Sequence, residues 1–168
     1  SPRENMEFIF DVCSSYARKF GRFYFRNLFL TGAPGLGKTF LSACIARTVS
    51  ESGFSVVYDT AVNIFTRFEE QKFARDRLEA GEAKDETRRY LGCDLLILDE
   101  AGSAEELDMV DVDLLKKAVL ERPAGCECVL TAHTPLQWML DTADYSTEMK
   151  CHRHPYQKGI KARKGIEY

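Results

Sequence analysis

Residues 27–39 read Asn-Leu-Phe-Leu-Thr-Gly-Ala-Pro-Gly-Leu-Gly-Lys-Thr: an apolar strand, a GxxxxGKT loop, and then an amphipathic helix. Few patterns constrain a fold as tightly. Glycines let the backbone wrap close around a phosphate chain, so that successive N–H groups point inward. The helix that begins near Lys38 adds its positive dipole end. The run Gly32, Ala33, Pro34, Gly35, Leu36, Gly37, Lys38, Thr39 and Phe40 is therefore the expected nucleotide-binding segment. Lys38 is expected to reach the outer phosphates and to act in catalysis, and the Thr39 hydroxyl to ligate Mg²⁺.

A second anchor is Asp94-Leu95-Leu96-Ile97-Leu98-Asp99-Glu100. Four apolar residues in a row, ending in two carboxylates, read as a central parallel strand buried on both faces. Ligands of open α/β sheets bind at the carboxyl ends of such strands. Asp99 fits the Walker B acid that holds the Mg²⁺ shell. Glu100, one residue further, faces another way and is the expected catalytic residue that polarises a water.

The chain has 168 residues, enough for one domain with a layered core, and its net charge of −3 gives no global attraction for nucleic acid. Its 45% apolar and 29% charged content is ordinary for a soluble globular protein. No apolar run approaches a membrane span and no signal segment is evident, so a cytoplasmic location is expected. The six cysteines include no CxxC pair and read as reduced thiols.

Apolar spacing predicts helices over 3–19, 39–50, 61–77, 110–121 and 135–142, and strands over 27–31, 55–58, 94–99, 126–131 and 145–150. Residues 79–89 are charged, contain Gly81, and read as a loop or frayed helix. Strands alternating with helices mean a parallel sheet covered on both faces. The expected fold is α/β: a three-layer P-loop NTPase of RecA/AAA+-like type, five strands in the order 5-1-4-3-2. The strand ending at Thr131 then lies between those carrying the loop and Asp99. That places Thr131 and His133 near the terminal phosphate as polar sensors. Trp138, beside Met139 and Leu140, reads as core.

Residues 4–76 carry "ENMEFIFDVC", "NLFLTGAPGLGKTFLSACIA" and "GFSVVYDTAVNIFTRFEEQKFARD". This stretch resembles the DnaC/IstB-type helicase-loader AAA+ ATPases. Residues 94–168 carry "LLILDEAGSAEELDMVDVDLLKKAVLERPAGCECVLTAHTP" and "ADYSTEMKCHRHPYQKGIKARKGIEY". They are similar to the corrinoid (cob(I)alamin) adenosyltransferases of the CobA/BtuR type. The two resemblances imply a chimera-like single P-loop domain with its join within residues 77–93.

The chain departs from each pattern. After Thr131 it leaves the loader sequence, where an arginine acting in trans would follow; Arg153 and Arg163 remain and neither sits in that pattern. The transferases carry a GNGKGKT-like loop and an aromatic segment over the corrinoid, where this chain has GAPGLGKT and loader-like sequence. The expectation is an ATP- and Mg²⁺-binding domain with weak or no hydrolysis. The alternatives are transfer of the 5′-deoxyadenosyl group of ATP to a Co(I) corrinoid as substrate, or a loader-like module binding single-stranded DNA or a helicase. A nucleotide is the expected partner and a homodimer stays open. No membrane is expected, and nucleic acid is disfavoured. The basic tail from Lys150, with Arg153, Lys158, Lys161, Arg163 and Lys164, reads as a flap over a polyphosphate. His152 and His154 within it read as solvated or phosphate-adjacent, not as a metal pair.

Overall fold

The computed structural model describes residues 2–73, 88–90, 92–102 and 112–151, without the side chains of 2, 68, 71–73 and 114. Helix α1 spans Pro2–Arg18. It is followed by β1 (Asn27–Gly32), α2 (Lys38–Glu51), β2 (Val56–Thr60) and α3 (Ala61–Phe73). Then come β3 (Leu95–Asp99), α4 (Val112–Leu120), β4 (Glu127–Ala132), α5 (Gln137–Thr142) and β5 (Tyr145–Met149). The 79–87 part of the charged loop, the basic tail beyond Cys151 and its His152, Arg153, His154 and Arg163 lie outside the described residues.

The five strands form one parallel sheet in the order β2-β3-β4-β1-β5, as the motif placement requires. β3 pairs with β2 on one side and β4 on the other, so strands from both sides of the 77–93 stretch share the sheet. β3 and β4 are buried along their whole length, as suits strands covered on both faces. The edge strand β5 alternates exposed and covered positions instead. Alternation along each strand divides the core. Phe29, Leu96, Leu98, Cys128 and Leu130 meet Ile64 and Phe65 of α3, Leu115 and Val119 of α4, and Met139 of α5. Leu28, Leu30, Leu95, Ile97 and Val129 meet Ile9, Cys13 and Tyr16 of α1 and Leu41, Ile45 and Val49 of α2. Each such aliphatic side chain contributes about 1.5–3 kcal/mol by leaving water.

Two boundaries among the described residues differ by two positions from the sequence expectation. β2 runs on to Thr60, because its pairing with β3 continues as far as Asp99. α5 begins at Gln137, since Leu136 is still extended at φ −88° and ψ 142°. Trp138 is only partly buried, packed against the α3–α5 side of the core. The six cysteines are free thiols; those of Cys93 and Cys126 stand 3.9 Å apart at the bases of β3 and β4.

The amino ends of the strands are fastened by charges. The Asp144 carboxylate accepts the N–H groups of Arg26 and Asn27 at 2.9 and 2.8 Å, which sets β1 beside β5. Glu127 opens β4 with only 4% exposure. It accepts the Tyr16 hydroxyl at 2.8 Å and lies 3.5 Å from the Arg26 guanidinium. Tyr16 stacks on Phe25, so this carboxylate ties α1 to the sheet.

Burial pushes the Glu127 carboxyl above its ordinary value, and the pull of Tyr16 and Arg26 only partly opposes it. The folded state therefore holds its proton to higher pH than the unfolded chain does. Stability is highest below the ordinary value of 4.5 and falls as pH rises from there through the raised value. Denaturant titrations should show that Glu127→Gln removes this fall, so that the difference from wild type narrows with pH or reverses sign. A difference that is flat with pH would show that Glu127 titrates normally.

Candidate nucleotide site

The site lies at the carboxyl ends of β1, β3 and β4, where α2 starts. Gly32 has φ 140°, and a Cβ there would stand 2.2 Å from the Met149 carbonyl oxygen. The loop therefore departs from β1 only because that residue lacks a side chain. Gly37 caps α2 with φ 92°, a conformation that L side chains rarely adopt. Lys38 is 6% exposed and folds back onto the loop, donating to the carbonyls of Gly32 at 2.6 Å and Ala33 at 2.8 Å. Burial lowers its pKa, while Asp99 and Glu100 act the other way. Ala33 and Phe40 are exposed, and Leu36 packs partly into the α1–α2 side of the core. Pro34 and Gly35 form the exposed turn between them, with Gly35 at φ 76°.

Thr39 and Asp99 meet. The Thr39 hydroxyl lies 3.0 Å from Asp99 Oδ2 and 3.3 Å from Oδ1. The Thr131 hydroxyl donates to Asp99 Oδ1 at 2.5 Å and accepts the Glu100 N–H at 2.9 Å. Thr131 is thus in the cluster, 1% exposed, but its contacts are with the carboxylate and the turn behind it. Glu100 stands at φ 55° with its side chain exposed, turned out of the line of β3. Two residues further on, a Cβ at Gly102 would meet the Thr134 carbonyl at 2.7 Å and Ala132 Cβ at 2.8 Å. His133 follows the end of β4, half-buried, and no hydrogen bond links it to the Asp99 cluster among the described residues.

A hydroxyl and a carboxylate oxygen side by side are hard-oxygen donors of the kind Mg²⁺ takes, with substrate phosphate and water completing its shell. Among the described residues no group of three or more His, Cys, Asp or Glu side chains forms a cage that would hold a metal without phosphate. The donor set fits a magnesium–nucleotide site.

Two residues here escaped the sequence reading. Ser42, one turn into α2, donates to the Thr39 carbonyl at 3.0 Å, and its oxygen lies 3.1 Å from the Tyr58 hydroxyl. Tyr58 pairs with Ile97 in the register of β2 and β3, two residues before Thr60 faces Asp99. A polar-tipped aromatic on the strand beside an acid-ending strand was the available signal.

This fold and loop define a P-loop NTPase. The profile of the ATP:corrinoid adenosyltransferase BtuR/CobO/CobP family matches residues 39–168, and the chain belongs to that family. The match extends upstream through residues 77–93 to Thr39, beyond the 94–168 stretch in which the resemblance was legible. A corrinoid adenosyltransferase of a Sinorhizobium species is 30% identical over 105 residues, covering 60% of this chain and 49% of the relative. The chain thus spans about half the length of that relative.

Among solved structures, a replication initiator DnaA bound to AMPPCP and single-stranded DNA matches with TM-score 0.61 and 18% identity, over 86% of this chain and 46% of that one. The DnaC helicase loader matches with TM-score 0.58 and 14% identity, over 83% of this chain and 86% of that one. At these identities the likeness shows the fold. The expectation that disfavours nucleic acid gains no support from these neighbours, one of which was solved on single-stranded DNA. No described helix is long and apolar enough to cross a membrane.

Replacing Lys38 by Ala should weaken Mg-ATP binding about 10- to 100-fold, the loss of a charge-assisted contact of about 1.5–3 kcal/mol. The melting temperature should shift little, because the buried ammonium carries a desolvation cost of its own. Calorimetric titration of both proteins checks this; equal affinities would remove Lys38 from the site.

Proposed function

We propose that this chain binds Mg-ATP at Gly32–Thr39 together with Asp99, and that its own turnover of ATP to ADP is slow or absent. The observation that carries the reading is the Thr39 hydroxyl held 3.0 Å from the Asp99 carboxylate at the head of α2. In this reading the loop N–H groups and the start of α2 cradle the phosphates. Lys38 gives up its loop carbonyls for the outer phosphates. Thr39 and Asp99 hold the Mg²⁺, which when bound neutralises phosphate charge. Glu100 accepts a proton from a water. Thr131 steadies both Asp99 and the turn into Glu100, and His133 stays a candidate sensor of the terminal phosphate. Slow turnover is supported by the sequence after Thr131, which leaves the loader pattern that supplies an arginine in trans.

A second reading is favoured by the family match over residues 39–168. It is transfer of the 5′-deoxyadenosyl group to a corrinoid. The Co(I) of the substrate would attack C5′ of ATP; the Co–C bond forms as the C5′–O bond breaks, and triphosphate leaves. The Mg-ATP reading takes the chain as a recombinant of two related P-loop sheets joined within residues 77–93, whereas the family match runs through that stretch to Thr39. Strands from both sides of that stretch share one sheet, since β3 pairs with both β2 and β4.

One incubation separates these outcomes: Mg-ATP with a chemically reduced corrinoid, followed by analysis of corrinoid and phosphate products. Adenosylated corrinoid with triphosphate establishes the transfer. Slow release of orthophosphate, lowered by Glu100→Gln with binding intact, establishes the weak ATPase. Absence of any bound nucleotide by calorimetry would refute the site itself.

A further inference from the structure

Tyr58, Asp99 and Thr131 share one face of the sheet. Tyr58 pairs with Ile97, which packs with α1 and α2, and Asp99 lies two residues beyond Ile97 on the same strand. Thr131 lies two beyond Val129, which packs on that side as well. The face is the one that receives α2, whose first turn brings Thr39 and Ser42 against it.

The hydrogen bonds there have one consistent direction. Ser42 is fully buried and has a single hydroxyl proton, which goes to the Thr39 carbonyl at 3.0 Å. The Tyr58 hydroxyl, 3.1 Å from Ser42 Oγ, is therefore the donor of that pair. A relay results: Tyr58 to Ser42, Ser42 to the backbone of Thr39, and Thr39 through its own hydroxyl to Asp99. Tyr58 is 37% exposed, so the pair it makes with Ser42 lies at the edge of the core.

We propose that Tyr58 is a positioning residue of the magnesium–nucleotide site: through Ser42 it fixes the first turn of α2 so that the Thr39 hydroxyl stays on Asp99. This deepens the Mg-ATP reading above and rests on it. The residue acts on the metal-binding pair and not on the phosphate loop. Its loss should therefore weaken what Mg²⁺ adds to nucleotide affinity and leave metal-free binding alone. A tyrosine that only packed α2 on β2 would change both equally, or change the melting temperature instead.

The test is calorimetric or fluorescence titration with AMPPNP, once with excess Mg²⁺ and once with EDTA. It uses wild type, Tyr58→Phe, Ser42→Ala and the double variant. The expected result is a gain from Mg²⁺ that is about three- to tenfold smaller in each single variant, the size of one lost hydrogen bond. The double variant should lose no more than either single one, because both interrupt one relay. Affinity in EDTA should stay within error of wild type. An undiminished Mg²⁺ gain in Tyr58→Phe overturns the proposal, as does an equal loss with and without Mg²⁺. If Tyr58→Phe does not fold, Ser42→Ala tests the same relay from its other end under the same criteria. A wild type whose affinity gains nothing from Mg²⁺ sinks the nucleotide reading and the relay together, an outcome distinct from failure of the variants alone.

Discussion

Asp99 is a carboxylate with 6% exposure at the end of a strand buried on both faces, and the arrangement of the site follows from how that charge is compensated. An isolated buried carboxylate would cost far more than the domain can bear. Here Thr39 and Thr131 cover its two oxygens, one hydroxyl from α2 and one from β4. Each bond to a charged acceptor contributes about 1.5–3 kcal/mol and fixes the spacing of two elements at once. Thr131, having given its proton to Asp99, accepts the Glu100 N–H, and this holds the turn that swings Glu100 out of the strand. One buried charge thus aligns α2, β3 and β4 and aims the second acid outward.

The two ends of the sheet are built on opposite terms. At the amino ends, Asp144 accepts backbone N–H groups, Glu127 takes a phenol and a guanidinium, and Arg122 donates to the carbonyls of Val119 and Cys126 and to the Asn27 side chain. Those groups have partners within the protein. At the carboxyl ends, among the described residues, Lys38 donates to loop carbonyls, whose claim on a cation is weaker than a phosphate's. Asp99 is held by neutral hydroxyls, which a divalent cation can supplement. The amino end closes the fold with charged partners, and the carboxyl end meets its charges with carbonyls and neutral hydroxyls.

Strand order, the phosphate loop and the Thr39–Asp99 pair were legible because each rests on local pattern: apolar runs, glycine spacing, and acids at a strand end. What escaped rests on pairings distant in sequence. Nothing local marks Glu127 as buried, since its partner Tyr16 lies 111 residues away. Tyr58 reads locally as one more β-forming residue; only the sheet register sets it against Ser42. Thr131 reads from sequence as a sensor of the terminal phosphate; the strand register brings its hydroxyl level with Asp99 and the Glu100 backbone. The start of α5 was misjudged by two residues because Pro135 is compatible with a helix start, yet Leu136 remains extended.

The phosphate loop asks little of most side chains within it and much of its backbone. Gly35 at φ 76° and Gly37 at φ 92° set the turn, while Ala33 and Pro34 turn their side chains out to solvent. That is a physical reason why a family match can begin at Thr39 while the loop before it follows another pattern. Gly32 is constrained differently. Its Cα faces the Met149 carbonyl so closely that a Cβ would fall 2.2 Å from it, and that oxygen belongs to β5, more than a hundred residues later. The loop of one stretch and the edge strand of the other must therefore fit each other at this contact. The Thr39–Asp99 and β2–β3 pairings make the same demand at the site and across the sheet. All three demands are met by strands whose carboxyl ends keep the same level. The parallel register of β1 with both β4 and β5 shows that level being kept.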